Sequence, residues 1–137
     1  CIGAIFDIYM HACQEAAGSK FRLKGLSTTN FSDFRKGFYA VDGNEKTFVE
    51  ALASRGLGRE IKDPAEAAPG DLVQLWRKNT GHSAVFLDWM KEDGRVVGIK
   101  YWSASSHSGF SQGEEYFKGY GGTVDPEKIY IVRALTP

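Results

Sequence analysis

The spacing of apolar residues in this chain changes from a helical repeat near its start to strand-like alternation in its second half. Apolar side chains recur every three or four residues over positions 1–17, which predicts a helix that ends at Gly18. Asn44 is placed to cap another helix over residues 46–55. Residues 19–43 are mixed in character and predict short helices and loops.

Four strands are predicted in the second half of the chain. The first is LVQLW, which follows a Pro-Gly-Asp turn, and the second is HSAVFLDWM. A KEDG turn leads into the third, RVVGIKYWS, and the last is IYIVRAL. The middle two segments form a predicted antiparallel hairpin. Residues 63–68 predict a short turn or helix, and the serine- and glycine-rich stretch 103–122 predicts a long loop. Helices followed by strands predict one α+β domain over residues 1–137, with the N-terminal helices packed on a small antiparallel sheet.

Charge and hydropathy argue against two kinds of partner. Lysine plus arginine and aspartate plus glutamate number 17 each, so the chain lacks the basic excess typical of nucleic-acid binding. No apolar run approaches the roughly 20 residues that span a bilayer. The two cysteines and three histidines have no spacing typical of a metal site, and neither a metal nor a cofactor is predicted.

The residues that point most clearly to chemistry are Cys1, in front of the first predicted helix, and His82, at the start of a predicted strand. Cysteine attacks as its thiolate, and a helix amino end and a nearby imidazolium both lower the thiol pKa from about 8.5. A histidine at a strand start can reach a cysteine on a helix packed over the sheet. The pair predicts a cysteine nucleophile with a histidine base, and the backbone N–H of Cys1 as an oxyanion donor.

These residues also carry a family resemblance. CIGAIFDIY resembles the nucleophile helix of NlpC/P60 cysteine peptidases, and PGDLVQLW followed by GHSAVFLDW resembles the family's Pro-Gly-Asp strand and its next strand with Gly-His. The match runs from Cys1 to about Ser103 and is poor over residues 19–59. It implies a papain-like α+β fold with Cys1 as nucleophile and His82 as general base. It also implies peptidoglycan stem peptides as substrate and a secreted or cell-envelope location.

The sequence departs from the family pattern at three places. Ile2 stands where the family has serine after the cysteine. The acidic residue and the tyrosine that precede the family's cysteine have no counterpart in this sequence. The strand after His82 lacks the histidine that commonly orients the catalytic histidine in that family. Another polar group must therefore orient His82 if the resemblance extends to mechanism.

Strand alternation suggests which residue this is. It places four side chains on one face: Val97, Ile99, Tyr101 and Ser103. This more apolar face is expected to contact the first helix and the active site. Ser103 is therefore the predicted orienting residue, followed by Ser105 and His107. Trp102, on the other face and near the position of the family's histidine, is expected to border the pocket.

Two further residues of the first helix receive structural interpretations. Cys13 on an apolar helix face is predicted to be a buried structural thiol. It lies about 18 Å along the helix from Cys1, too far for a disulfide. His11 lies about 15 Å from Cys1 along the same helix, so it is not expected to be that cysteine's base.

Several functions remain open on the same residues. An acyltransferase or a protein deamidase would use Cys1 and His82 in the same way. An autoprocessed hydrolase would use the α-amino group of Cys1 as its base, and a binding module with a degenerate site would need neither. An upstream segment cut away before Cys1, and an inhibitor protein, are the protein partners left open.

Overall fold

A computed structural model gives the fold of the protein. It describes residues 2–18, 28–39, 44–105, 107 and 109–135. The helices formed by these residues are α1 (Ile2–Ala17), α2 (Thr28–Phe38) and α3 (Thr47–Ala53). The strands are β1 (Gly58–Ile61), β2 (Leu72–Trp76), β3 (Gly81–Glu92), β4 (Arg95–Ser105), β5 (Gly109–Tyr116) and β6 (Ile129–Ala134), and a 3-10 turn covers Pro64–Glu66.

Helix α1 follows the apolar repeat from which it is predicted. Its buried residues are Ile5, Phe6, Tyr9 and Cys13, at the spacing that gives a helix one apolar face. Gly18 follows with a φ of 75°, a left-handed backbone conformation that residues with a Cβ rarely adopt. Glycine therefore ends α1 at the predicted position.

Helix α3 differs from its prediction at its start. The Asn44 side chain accepts a hydrogen bond from the N–H of Lys46, and the Thr47 hydroxyl donates to the carbonyl of Asn44. Asn44 therefore closes the turn that leads into α3 and does not cap the helix's first turn, which corrects the predicted cap. Gly56, with a φ of 69°, provides the left-handed turn after the helix.

The six strands of the described chain form one sheet in the order β1-β6-β2-β3-β4-β5. Strands β3 and β4 form the predicted hairpin, with Phe86 opposite Tyr101. Strand β2 pairs antiparallel with both β3 and β6, although β6 is the last strand along the chain. Helices followed by an antiparallel sheet define an α+β protein, so the predicted fold class is confirmed at this level.

Two strands were not predicted from the sequence. Strand β5 lies within residues 103–122, where a long loop is predicted, and pairs with β4 along its whole length. Its side chains are exposed or half-exposed throughout, so it has none of the apolar alternation that marks a half-buried strand. Strand β1 is only four residues long and holds its place by pairing with β6. Pairing with a neighbour, and not local pattern, forms both edge strands of the sheet.

Different parts of the chain cover the two faces of the sheet. The helices pack on the face that carries Leu72, Val85 and Val132, which we call the helix face. The opposite face, which we call the loop face, has its own apolar core: Ile61, Val73, Leu75, Ala84, Phe86, Ile99, Tyr101 and Ile131. Phe117 and Val124, from the segment between β5 and β6, complete this second core.

This arrangement corrects one prediction about β4. Val97, Ile99, Tyr101 and Ser103 are all buried, as strand alternation predicts. However, Ile99 and Tyr101 pack in the loop-face core and not against the helices. The sequence pattern identifies a buried face of a strand but cannot say which segment covers it. Here the covering segment comes from after β5, in a region without regular strand or helix periodicity.

Candidate functional site

His82 lies at one end of the central strands of the sheet, where β3 begins. It is the second residue of the strand, directly after Gly81 and opposite Leu75 of β2, so it lies on the loop face. A Cβ at Gly81 would come within 3.0 Å of the Trp76 ring, so the residue before His82 must be small if that ring is to keep its place. Trp76 in turn donates from Nε1 to the carbonyl of Glu45, 2.7 Å away. These contacts fix the backbone from which His82 projects.

Ser103 is the hydrogen-bond partner of His82. Its Oγ lies 2.9 Å from Nε2 of His82, and its side chain is buried, with 6% of the residue exposed. The two residues are diagonal neighbours on adjacent strands of the hairpin, so the register of β3 against β4 sets their separation. The structure therefore brings together the predicted base and the residue predicted to orient it. Their catalytic roles stay predictions.

Three further residues form a network next to His82 that sequence reasoning missed. The Tyr101 ring lies edge-on to the His82 ring, with 5.3 Å between ring centroids. The Tyr101 hydroxyl donates to Oε2 of Glu115 at 2.7 Å. Arg77 binds both carboxylate oxygens of Glu115, at 2.6 Å from Nε and 2.5 Å from Nη2. Glu115 lies on β5, in a stretch whose sequence predicts a loop, so its contact with Arg77 is not apparent from the sequence.

The network and the partial burial of His82 set its protonation. Burial lowers the pKa of His82 below its ordinary value of 6.5, the positive charge of Arg77 lowers it further, and Glu115 opposes both. Burial would raise the pKa of Glu115, but hydrogen bonds from Arg77 and Tyr101 lower it overall. Burial and the bond to Glu115 raise the pKa of Tyr101 to about 12. At pH 7 the site therefore holds a neutral His82 imidazole beside the ion pair of Arg77 and Glu115.

Cys1, the predicted nucleophile, lies outside the described residues. Cys13 is buried and free, as predicted for a structural thiol. Burial raises the pKa of its thiol, which makes it a poor nucleophile. His11 is exposed on α1. The described part of the chain therefore assigns neither of these two residues to the site around His82.

Trp102 lies on the helix face, whereas His82 lies on the loop face. Trp102 pairs with Val85 of β3. Its ring stacks on that of Phe110 of β5, with 5.3 Å between ring centroids and 15° between the ring planes. Phe110 and α1 together line an open groove that includes Ile8 and His11. Trp102 thus borders a groove, but on the other side of the sheet from the His82–Ser103 pair.

The runner-up orienting residues occupy the end of β4 and the loop beyond it. Ser105 is the last residue of β4, and His107 lies in the following turn. The hydrogen bond of the His82 Nε2 atom goes to Ser103, the first choice among the three.

Asp71 explains the Pro-Gly-Asp turn in structural terms. Its carboxylate is 3% exposed and accepts two hydrogen bonds from Arg133 of β6, each at 2.8 Å. It also accepts from the N–H of Ala68 at 2.9 Å. The turn residue that contributes to the family resemblance therefore joins β2 to β6, at the opposite end of β2 from Trp76 and the His82 site.

Metal-ligand clusters and membrane-spanning helices are both absent from the part of the chain that the structure describes. In it, no group of three or more His, Cys, Asp or Glu side chains is arranged to hold a metal ion. Among the same residues, none of the helices has the length and apolar character needed to cross a membrane.

The fold and the site together define an α+β protein with a half-buried histidine held by a buried serine near the end of two central strands. No protein-family model, curated protein or solved structure matches this chain. The NlpC/P60 resemblance therefore rests on the quoted motifs.

Proposed function

We propose that the protein is a cysteine hydrolase of the NlpC/P60 type with a papain-like fold, acting on a peptide or amide bond in peptidoglycan stem peptides. Cys1 is the nucleophile, His82 the general base and Ser103 the residue that orients His82. The observation that carries the proposal is the 2.9 Å hydrogen bond between Nε2 of His82 and Oγ of Ser103. The substrate implies a secreted or cell-envelope protein.

The hydrogen bond gives the two ring nitrogens of His82 separate tasks. Nε2 is engaged with Ser103, which leaves Nδ1 to exchange protons with the nucleophile. Because burial and Arg77 lower the pKa of His82, the ring is neutral at pH 7 and ready to accept a proton. With Nε2 oriented by Ser103, Nδ1 is the nitrogen that acts as general base in this proposal.

The reaction proceeds through an acyl-enzyme. Nδ1 of His82 takes the thiol proton of Cys1, and the sulfur attacks the carbonyl carbon. The oxyanion forms with the Cys1 N–H as a donor, and His82 then protonates the leaving amine as the C–N bond breaks. Water, activated by His82, hydrolyses the thioester and restores the thiol. The mechanism requires the Cys1 sulfur within hydrogen-bond reach of Nδ1 at the strand end where β3 begins. Because α1 packs on the helix face and His82 lies on the loop face, Cys1 must reach His82 past the end of the sheet.

The His82–Ser103 contact also raises the question of a serine nucleophile. Such a nucleophile must be open to substrate, whereas Ser103 is 6% exposed and lies within β4. Burial favours the orienting role. A fluorophosphonate probe separates the two assignments, because it labels an activated serine and leaves an orienting serine unmodified.

The proposed function is tested by digesting purified peptidoglycan and identifying the products by mass spectrometry. The wild type is expected to release peptides, and Cys1→Ala and His82→Ala are each expected to lose at least about 1,000-fold in rate. His11→Ala is the matched control, because it removes an exposed histidine of α1 and is expected to keep full activity. Equal cleavage by the wild type and Cys1→Ala would reject the mechanism.

Product analysis also distinguishes the neighbouring chemistries. A new amide bond where hydrolysis would leave a free carboxylate would indicate acyl transfer. Conversion of glutamine to glutamate in a separate protein substrate would indicate deamidation. A wild type that neither cleaves peptidoglycan nor reacts with thiol reagents would instead favour a binding module.

A further inference from the structure

We propose that Tyr101, held by Glu115 and Arg77, is a positioning residue that fixes the ring of His82 so that Nε2 stays on Ser103 and Nδ1 faces the nucleophile. This inference rests on the proposed role of His82 as the base. It extends that role to Tyr101 on β4, Glu115 on β5 and Arg77, which follows β2.

The ring contact provides the positioning force. His82 has two side-chain torsions to fix, and its bond to Ser103 restrains only the Nε2 side of the ring. The edge-on contact with Tyr101, at 5.3 Å and an interplanar angle of 61°, restrains the ring plane itself. Together the two contacts define both the position and the plane of the imidazole.

Tyr101 is itself fixed at both ends of its side chain. Its hydroxyl donates to Glu115, whose carboxylate is bound at both oxygens by Arg77. Its ring lies across Gly113 of β5, where a Cβ would come within 2.7 Å of the ring. A glycine directly opposite an aromatic residue on the neighbouring strand lets the ring lie flat, and this holds Tyr101 toward His82.

The network also places opposite charges near the imidazole. Among the described residues, the groups that face His82 are the Arg77 guanidinium, the Glu115 carboxylate and the hydroxyls of Tyr101 and Ser103. Arg77 disfavours the imidazolium and Glu115 favours it. Removing either charge must therefore move the pKa of His82 in the opposite direction to removing the other.

For Nδ1 to accept a proton, Nε2 must carry the ring hydrogen and donate it to Ser103. The Nε2–H tautomer is therefore expected in the neutral enzyme. Nitrogen-15 chemical shifts of the imidazole report this tautomer directly, and the pH dependence of the ring carbon-bound proton reports the pKa.

The experiment is an NMR titration of His82 in a Cys1→Ala background, so that the thiol does not titrate with it. We expect the Nε2–H tautomer, a higher His82 pKa in Arg77→Met and a lower one in Glu115→Gln. The matched controls are Lys100→Met and Glu114→Gln, which break the exposed Lys100–Glu114 ion pair one residue along on the same two strands and leave His82 unchanged.

Two variants of Tyr101 separate ring packing from the hydroxyl. Tyr101→Leu is expected to mix the two tautomers of His82 and, in the Cys1-containing enzyme, to lower kcat about 10-fold with little change in KM. Tyr101→Phe keeps the ring contact and is expected to recover most of that loss. The inference is overturned if Tyr101→Leu keeps the wild-type tautomer and pKa, or if both charge variants shift the pKa in the same direction.

The titration is independent of catalysis, so the two proposals fail separately. A wild type without peptidase activity but with the expected tautomer and opposed pKa shifts would reject the proposed function and retain the positioning network. An active wild type with an unresponsive His82 would do the reverse.

Discussion

The two faces of the sheet differ in what covers them and in what they carry. The helix face is closed by aromatic packing, in which Phe34, Phe38 and Phe48 are fully buried. The loop face has a smaller apolar core, and beside it lies the network that contains His82. The helix face therefore holds the larger apolar core, and the loop face carries the site on which the proposed chemistry depends. Changes on the two faces should therefore have separable effects.

The largest expected effect lies on the helix face. Phe38 is fully buried and its ring contacts those of Phe6, Phe34 and Phe48. Phe38→Ala removes this packing and should lower the free energy of unfolding by about 3–5 kcal/mol, measured by chemical denaturation. Phe110→Ala, at a residue that is 64% exposed, should cost less than about 1 kcal/mol. Similar losses in the two variants would contradict the assignment of the main core.

The next effect concerns the ion pair that joins β2 to β6. Asp71→Ala leaves Arg133 without its buried carboxylate partner and should cost about 1.5–3 kcal/mol. The exposed pair of Lys100 and Glu114 is the control, and Glu114→Ala should cost less than about 1 kcal/mol. The His82 pKa, followed by NMR, should not change in Asp71→Ala. A clear change would mean that the sheet framework and the site are coupled.

Ser103→Ala tests the site with a smaller structural cost. It removes one hydrogen bond and should lower the free energy of unfolding by about 1 kcal/mol. Because His82 loses its orientation, kcat on peptidoglycan should fall about 10- to 100-fold. Loss of activity with nearly intact stability is the opposite of the result expected for Phe38→Ala. A fully active Ser103→Ala would remove this serine from the mechanism.

The smallest expected effect is on the pH dependence of stability. The pKa of His82 is lowered in the folded state, so the unfolded chain takes up its proton first as the pH falls. The contribution of His82 is complete above pH 6.5 and is lost as the pH falls below 6.5 toward the folded-state pKa. His82→Gln should reduce the difference in stability between pH 7.5 and pH 5.5, measured by denaturation. An unchanged difference in His82→Gln would argue against burial of the neutral imidazole.

Parts of the fold were predictable because their patterns are local. The apolar repeat of α1, the Gly18 stop, the apolar run of β2 and the strand patterns of β3 and β4 each follow from neighbouring residues. The contact between His82 and Ser103 was predictable because it lies within one hairpin, where the register follows from alternation. Local sequence patterns therefore predict structure where sequence neighbours are also spatial neighbours.

The missed features depend on distant parts of the chain. The edge strands β1 and β5 are short or exposed and exist because a neighbour pairs with them. Glu115 joins Arg77 across 38 positions of sequence, so nothing local links them. The apolar face of β4 is expected to contact the first helix, but residues after β5 cover it. Apolar alternation indicates that a face is buried and carries no information about the segment that covers it. The network around His82 depends on β5, which carries Glu115, and on the loop face, where Tyr101 lies.

We propose that His82 activates Cys1, and the sharpest test is the alkylation rate of Cys1 as a function of pH. Peptide-level mass spectrometry separates Cys1 from the buried Cys13, which should react slowly. We expect an apparent pKa for Cys1 below 8.5 in the wild type, because thiol and imidazole titrate as a pair, and a return toward 8.5 in His82→Ala. A Cys1 profile centred at or above 8.5, and unchanged by His82→Ala, would contradict it.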